Sequence, residues 1–208
     1  MKLEFEKILS TRKTEQIPGM IEFNLPVHGD NRGWFKENFQ FEKFREIGFP
    51  ADFLRENKLQ NNISFNEKVG VTRGLHAEPW DKFISIANGK VFGAWCDLRK
   101  GENFGKTYTT ILDPTKAIFV PRGVANGFQT LEPNTVYTYL VNDYWSPDAK
   151  YAFVNLADPE IGIDWPIDLS GVELSDKDRK HPFLRDVRPM YRSDLFKESD
   201  ETEESEEE

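Results

Sequence analysis

The stretch KFISIANGKVFGAWCDLR, residues 82–99, decides the fold. It consists of two runs rich in apolar and aromatic side chains on either side of the pair Asn88-Gly89. An Asn-Gly pair readily takes the positive φ angles of a type I′ turn, and such turns join adjacent antiparallel strands. The pattern therefore predicts a β-hairpin centred on Asn88-Gly89.

Short runs of the same kind continue on both sides and are separated by Gly, Pro, Asn and Asp. A helical pattern is confined to brief stretches at 41–49 and 175–180. Many short strands with few helices favour an all-β antiparallel sandwich or barrel, and the cupin-like jelly roll is a common enclosed form. The other predicted strands are MIEFNLPV (20–27), WFKENF (34–39), LQNNISF (59–65), TYTTIL (107–112), AIFV (117–120), GFQTL (127–131) and TVYTYLVNDYW (135–145).

The acidity of the chain is concentrated at its C-terminal end. The formal net charge is -9, and residues 198–208 hold eight acidic residues and no basic one. Such a run has nothing apolar to bury and repels itself, so we expect a disordered acidic tail at 198–208 after a single domain at 1–197. The nearly neutral domain lacks the basic excess of a nucleic-acid-binding surface.

The hydrophobic segments and the single cysteine indicate where in the cell the protein is expected. The N-terminal MKLEFEKILSTRK lacks the apolar stretch of a secretory signal, and no later run is long enough to span a bilayer. Cys96 is the only cysteine, which excludes an intrachain disulfide and predicts an inert core thiol. These features predict a cytoplasmic protein that does not associate with membranes.

The chain has three histidines. His28 lies in a turn-like PVHGDN and His181 precedes a proline, so both are expected at the surface. His76 follows Arg73 in VTRGLHAEPWDK and is followed within six residues by Lys82. Spacing alone leaves a structural and a catalytic role for His76 equally open, because histidine serves in both.

Metal-binding motifs are missing from the sequence. It contains no HxH pair and no HEXXH, and the segment GVANGF carries Asn126 where a barrel could supply another histidine. A two-histidine, one-carboxylate site is therefore hard to assemble. The sequence predicts no metal ion and disfavours a metal-dependent oxygenase.

Seven fragments occur in the order and spacing typical of one family. They are DNRGWFKE, LQNNISF, VTRGLH, IFVPRGVANGF, YTYLVNDYW, DPEIGIDWP and LSDKD. Over residues 17–190 the chain resembles the dTDP-4-dehydrorhamnose 3,5-epimerases. The resemblance implies a cupin-like jelly roll, a homodimer, and an isomerase without metal or redox cofactor. It would invert C3 and C5 of dTDP-4-dehydro-6-deoxy-D-glucose on the route to dTDP-L-rhamnose for surface polysaccharide.

The same resemblance implies the catalytic residues. The family's base matches His76, the aspartate that orients it matches Asp178, and its acid matches Tyr139. The lysine that stabilises charge on the ketone oxygen matches Lys82. Alternation along residues 135–145 independently puts Tyr139 on one strand face with Tyr137. Considered singly, Asp178 and Lys82 are better explained as surface charges, and Tyr139 as a packing residue in a strand.

Roles in binding the nucleotide are also implied. They fall on Arg32, Glu37, Gln60, Asn61, Asn62, Arg73 and Lys177. Many family members have a histidine at the position of Asn126, which we assign to substrate binding. An amide cannot titrate near neutral pH, so this difference leaves open whether both carbons are inverted. A 3-epimerase, a ketoisomerase and a non-catalytic sugar-binding jelly roll remain alternatives.

Overall fold

The computed structural model describes residues 8–196, so the predicted tail at 198–208 lies outside the described residues. Thirteen strands within this part of the chain form two large antiparallel sheets and one small one. The six-stranded sheet has the order β1-β2-β10-β7-β12-β5, and the five-stranded sheet has the order β13-β6-β11-β8-β9. β3 and β4 pair with each other. This arrangement confirms the all-β, cupin-like jelly roll.

The strands are β1 (Ser10–Lys13), β2 (Ile21–Asn24), β3 (His28–Asp30), β4 (Gly33–Phe35), β5 (Gln60–Asn66), β6 (Thr72–Ala77), β7 (Lys82–Asn88), β8 (Val91–Asp97), β9 (Thr107–Leu112), β10 (Lys116–Val120), β11 (Val124–Thr130), β12 (Thr135–Val141) and β13 (Ala152–Phe153). The helices are α1 (Phe41–Glu46), α2 (Asp176–Arg179) and α3 (Arg192–Leu195), with 3-10 turns at Ala51–Leu54 and Leu184–Asp186. None of the helices within residues 8–196 has the length and apolar character to cross a membrane.

The predicted hairpin at Asn88-Gly89 is wrong, although both of its strands exist. β7 pairs with β10 and β12, whereas β8 pairs with β11 and β9 in the other sheet. Gly89 has a φ of +82°, but Asn88 does not take a positive φ. The pair therefore forms a corner between sheets. The physical reason is that most residues of both strands are buried, so each strand lies in the interior of its own sheet.

Three apolar layers explain this continuous burial. Between the sheets lie Trp95, Ile84 and Ile86, all completely buried. On the outer face of the six-stranded sheet, α1 and the turn at Ala51–Leu54 cover a phenylalanine cluster made of Phe23, Phe44, Phe49, Phe53, Phe83 and Phe119. The chain after β12 covers the other outer face, where Cys96 is buried, as predicted. Both sheets are thus packed on two sides.

The C-terminal segment carries one element that matters for the site. Residues 158–189 are mostly loops, as predicted, and the expected short helix is α2. The Ser175 hydroxyl accepts a hydrogen bond of 3.1 Å from the backbone N–H of Asp178 and caps the helix. α2 lies against β6, which brings Asp178 to the edge of the interior.

Candidate active site

A cavity of about 210 Å³ lies between the two sheets. Its walls come from β6 and β11 on one side and from β5, β7 and β12 on the other. The lining consists of Ser64, Arg73, Gly74, His76, Glu78, Lys82, Ile84, Asn126, Gly127, Phe128, Tyr137 and Tyr139. Titratable side chains from both sheets therefore face one cavity, which makes it the candidate site for polar chemistry.

His76 and Asp178 form a hydrogen-bonded pair at this cavity. His76 Nε2 lies 2.8 Å from Asp178 Oδ1, and the Gly74 N–H donates to Oδ2 at 3.4 Å. Burial acts to raise the pKa of Asp178, but the hydrogen bond and charge of His76, with the Gly74 N–H, lower it below its ordinary value. Asp178 is thus a carboxylate near neutral pH. Because it accepts the Nε2 proton, the Nδ1 lone pair of His76 remains free to act as a base.

A β-bulge explains why Arg73 and His76, three residues apart, line the same cavity. β11 pairs Asn126 with His76 and Phe128 with Arg73, so the register shifts by one residue between them. The strands approach closely at Gly74, where an added Cβ would lie 2.5 Å from the Gly127 Cα. Gly74 also has a φ of +123°. Glycine is therefore required at this position.

Lys82 is buried in the cavity wall at 4% exposure. Its Nζ donates hydrogen bonds to Glu78 Oε2 and to Asn126 Oδ1. The Asn126 amide in turn donates to the Tyr137 hydroxyl at 3.3 Å. Sequence reasoning missed Glu78, whose only signal is its position two residues after His76. Four residues thus form one continuous polar chain through the cavity.

Two tyrosines of β12 face the cavity, as alternation along that strand predicts. Burial raises the pKa of Tyr139, the charge of Glu78 raises it further, and Arg73 partly opposes both effects. Tyr137 is fully buried and stacks on Phe128 with 4.3 Å between ring centroids. Burial raises its pKa well above the ordinary value, with smaller contributions from Tyr139 and Glu78. Both phenols are therefore protonated at neutral pH.

The predicted nucleotide-binding residues divide into two groups. Arg73 and Asn126 line the cavity, and the Arg73 Nε donates to Asn66 Oδ1 at 3.2 Å. Asn62 stands next to Tyr139 in the β5–β12 ladder. Gln60 and Asn61 belong to the same strand, although Ser64 is the β5 residue in the cavity wall.

Three other predicted binding residues lie away from the cavity of their own chain. Arg32 sits in the turn between β3 and β4, where it pairs with Asp30 at 2.5 Å. Glu37 pairs with Lys43 at 2.8 Å. Lys177 is exposed on α2, with its Nζ 5.4 Å from the centre of the Phe153 ring. The fold of one chain does not bring these residues to Lys82 and Tyr139.

The prediction that His181 lies at the surface is wrong, whereas His28 is exposed as predicted. The His181 side chain is only 5% exposed, because the turn after α2 folds it under Phe153, with 4.8 Å between ring centroids. Neither of its ring nitrogens has a hydrogen-bond partner among the described residues. Burial lowers the pKa of His181 and the charge of His76 lowers it further, whereas Asp178 and the Gly74 backbone partly oppose these effects.

Comparison with known proteins gives a consistent result. The family model for dTDP-4-dehydrorhamnose 3,5-epimerase matches residues 14–186. The RmlC homologue of Streptococcus pyogenes serotype M6 is 59% identical over 194 residues, which are 92% of this chain and 98% of that protein. The structure of RmlC from Streptococcus suis in complex with dTDP-D-xylose is 60% identical, with a TM-score of 0.88, and the match covers 92% of this chain and 99% of that chain.

A more distant structure preserves the same fold. RmlC from Legionella pneumophila Philadelphia 1, in complex with dTDP-4-keto-L-rhamnose, is 30% identical and has a TM-score of 0.75. The match covers 87% of this chain and 95% of that chain. The similarity therefore extends over nearly the whole of each protein.

Proposed function

The chain belongs to the dTDP-4-dehydrorhamnose 3,5-epimerase family, and we propose that it inverts C3 and C5 of dTDP-4-dehydro-6-deoxy-D-glucose to give dTDP-4-dehydro-L-rhamnose. The observation that carries the proposal is the opposition of two groups across one cavity. His76, oriented by Asp178, stands on the five-stranded sheet, and Tyr139 stands on the six-stranded sheet. Inversion at carbon requires a base and an acid on opposite faces.

In the proposed reaction, His76 Nδ1 removes the proton from the carbon next to the ketone. The C–H electrons form a carbon–carbon double bond, and negative charge moves to the ketone oxygen. The Tyr139 hydroxyl then delivers a proton to the other face, which returns the electrons to carbon and restores the ketone. Afterwards the protonated His76 and the tyrosinate return to their starting states by proton exchange with water.

Lys82 is the proposed stabiliser of the enolate oxygen. Its cationic Nζ is buried and is held by Glu78 and Asn126, so it does not have to reorganise when charge develops. Electrostatic stabilisation by a fixed cation in an enclosed site is among the largest single contributions to catalysis. Arg73 lines this cavity and a second, adjoining one. It is the proposed diphosphate ligand, since a guanidinium offers two parallel donors.

We also propose that the enzyme works as a homodimer. The outer strand β5 exposes Ile63 at 69% and Phe65 at 60%, and the β3–β4 hairpin exposes Phe35 at 70%. Exposed apolar side chains on a sheet edge favour association with another chain. Such a dimer would give Arg32 and Glu37 access to the cavity of the other subunit, which their own chain does not offer.

Asn126 supports a second candidate, a 3-epimerase on the same class of substrate. Its amide accepts from Lys82 and donates to Tyr137, and an amide cannot transfer a proton near neutral pH. If a second proton-transfer group at this position were needed for C5, this chain would invert C3 alone.

Proton NMR in deuterated water tests the proposal. The purified protein is mixed with dTDP-4-dehydro-6-deoxyglucose, and deuterium is followed into C3 and C5, with His76→Ala as the inactive control. We expect incorporation and inversion at both carbons. Reaction at C3 alone would identify the 3-epimerase, and no exchange at either carbon would overturn the proposed activity.

A further inference from the structure

His76, Asp178 and His181 form a compact group of metal-ligating side chains, with one donor atom from each lying within 4.8 Å of the others. We infer that this group binds a divalent transition-metal ion such as Zn²⁺, and that the bound ion switches the epimerase off. The binding site depends on these three side chains alone. The inhibitory consequence rests on the proposed function, because it requires His76 to be the base.

The state of His181 is the first observation behind the site. Its side chain is only 5% exposed, and within the described part of the chain neither ring nitrogen has a partner at full hydrogen-bond geometry, although the Gly74 backbone is close enough to raise the pKa of the ring. A buried polar group without a partner is unfavourable, and such groups call for a specific explanation. His181 Nε2 lies 3.6 Å from Asp178 Oδ1, so an unused donor atom faces the carboxylate.

The three groups are close enough for a small tetrahedral ion to draw them together. Zinc binds imidazole nitrogen and carboxylate oxygen at roughly 2.0 to 2.2 Å, which puts neighbouring ligand atoms roughly 3.3 Å apart. The distances to Asp178 Oδ1 are 2.8 Å from His76 Nε2 and 3.6 Å from His181 Nε2, and all three donor atoms lie within 4.8 Å of one another, so binding would bring the two imidazoles closer together. Two imidazoles and one carboxylate suit zinc and its neighbours in the transition series.

An entry path reaches the group from outside the active-site cavity. A second cavity, of about 510 Å³, is bordered by both His76 and Asp178. Glu173 and Ser175 also line this second cavity. A hydrated cation can therefore reach Asp178 without passing Lys82, and water in this cavity can supply the fourth ligand.

Metal binding would disable the proposed base. The ion would form its bond with the Nε2 lone pair of His76, so the single ring proton, which Asp178 accepts from Nε2, would move through solvent to Nδ1. Nδ1 would then carry a proton and have no lone pair with which to remove one from the sugar. Asp178 would ligate the ion and no longer support proton abstraction.

Direct binding provides the first test. The full chain, stripped with a chelator, is titrated with Zn²⁺ by calorimetry and with Co²⁺ by visible absorption. We expect one ion per chain and the intense visible bands of tetrahedral Co²⁺. His181→Phe keeps the stacking on Phe153 and removes the ligand, so it should weaken binding by at least about tenfold. His28→Phe is the matched control at an exposed histidine and should bind as the wild type does.

His181→Gln serves as a second variant if the phenylalanine variant does not fold, as judged by circular dichroism. Equal zinc affinity in the wild type and the folded His181 variant would overturn the site. The absence of tetrahedral Co²⁺ bands in the wild type would also overturn the proposed metal site.

The inhibitory role is tested by measuring, for each protein, the ratio of turnover with Zn²⁺ to turnover without it. We expect the ratio to fall at least about tenfold for the wild type, to recover with chelator, and to stay near one for the His181 variant. Zinc binding without any epimerase activity would leave the site intact and reject the proposed function. Epimerase activity that is insensitive to zinc would reject the inhibition and leave the proposed function intact.

Discussion

Glu78 accepts a hydrogen bond from Lys82 inside the cavity, at the point where the chain passes from one sheet to the other. Glu78 follows β6 of the five-stranded sheet, and Lys82 opens β7 of the six-stranded sheet. The pair therefore joins the two walls at the point where the proposed chemistry occurs. It also brings a negative charge close to the phenols of β12, because Glu78 raises the pKa of both Tyr137 and Tyr139.

The Glu78→Gln substitution should move the alkaline limb of the kcat profile to lower pH. Tyr139 must be protonated to act as the acid, so activity is lost as pH rises through its pKa. Burial raises that pKa first and the Glu78 charge raises it further, so removal of the charge lowers it. The direction of this shift is the expected result. A pH–rate series on both proteins checks it, and an unmoved limb would contradict the assignment.

The Asp178→Asn substitution should reduce kcat by roughly 100-fold or more with little change in fold. An amide cannot accept the Nε2 proton as a carboxylate does, so His76 loses its orientation and part of its basicity. Steady-state kinetics measures the loss, and circular dichroism shows whether the fold persists. Ser175→Ala, which removes only the cap on α2, is the control and should have a much smaller effect on kcat.

The Tyr139→Phe substitution should separate exchange from inversion. His76 still removes and returns the proton on its own face, so deuterium enters the sugar while the configuration stays the same. We expect inversion to fall by roughly 100-fold. Proton NMR in deuterated water reports both quantities in one sample. Equal loss of exchange and inversion would mean that Tyr139 does not act separately from the base.

The Gly74→Ala substitution should destabilise the protein by about 3 kcal/mol or more. The new Cβ would lie 2.5 Å from the Gly127 Cα, and the φ of +123° is strained for any L side chain. Gly48→Ala is the matched control, since Gly48 has a φ of +102° but nothing within 4 Å of its Cβ position. Its loss should be about 1 to 2 kcal/mol. Urea denaturation of both variants measures the difference.

Cys96 should not react with a thiol reagent at pH 8 in the native protein. Burial raises its pKa to about 12, and Asp97 and Asp158 add to the shift, so the thiolate is scarce. The side chain is also inaccessible, at 0% exposure. Ellman's reagent should modify one thiol per chain only after guanidinium is added. Rapid modification without denaturant would show that the layer around Cys96 opens readily.

The local sequence pattern predicted the positions of strands and helices better than it predicted which strands pair with each other. TYTTIL at 107–112 is β9 to the residue, and the short helix predicted at 175–180 is present as α2. The hairpin at Asn88-Gly89 failed because an Asn-Gly pair specifies a reversal of the chain but not the sheet that the next strand enters. The partners of β7 and β8 depend on both faces of each sheet being covered, and this covering exists only once the two sheets have packed together.

The same limit applies to the site. His76, Asp178, Tyr139 and Lys82 lie around one cavity or against its wall, which their separation in sequence does not reveal. The burial of His181 depends on a turn after α2 that packs it under Phe153. A histidine before a proline carries no signal for such packing. Glu78 was missed for a similar reason, because its partner belongs to the other sheet.

The strand order within the sheets has a consequence for how the enzyme becomes active. β5 pairs with β12, which begins 69 residues after Asn66 at Thr135, and the orienting carboxylate lies beyond both at Asp178. Because pairings of such long range make folding slow, we expect refolding on a time scale of roughly milliseconds to seconds. On the proposed mechanism, a chain emerging from the ribosome would lack the carboxylate that orients His76 until Asp178 had been synthesised. The proposed activity thus depends on two segments that are made 102 residues apart.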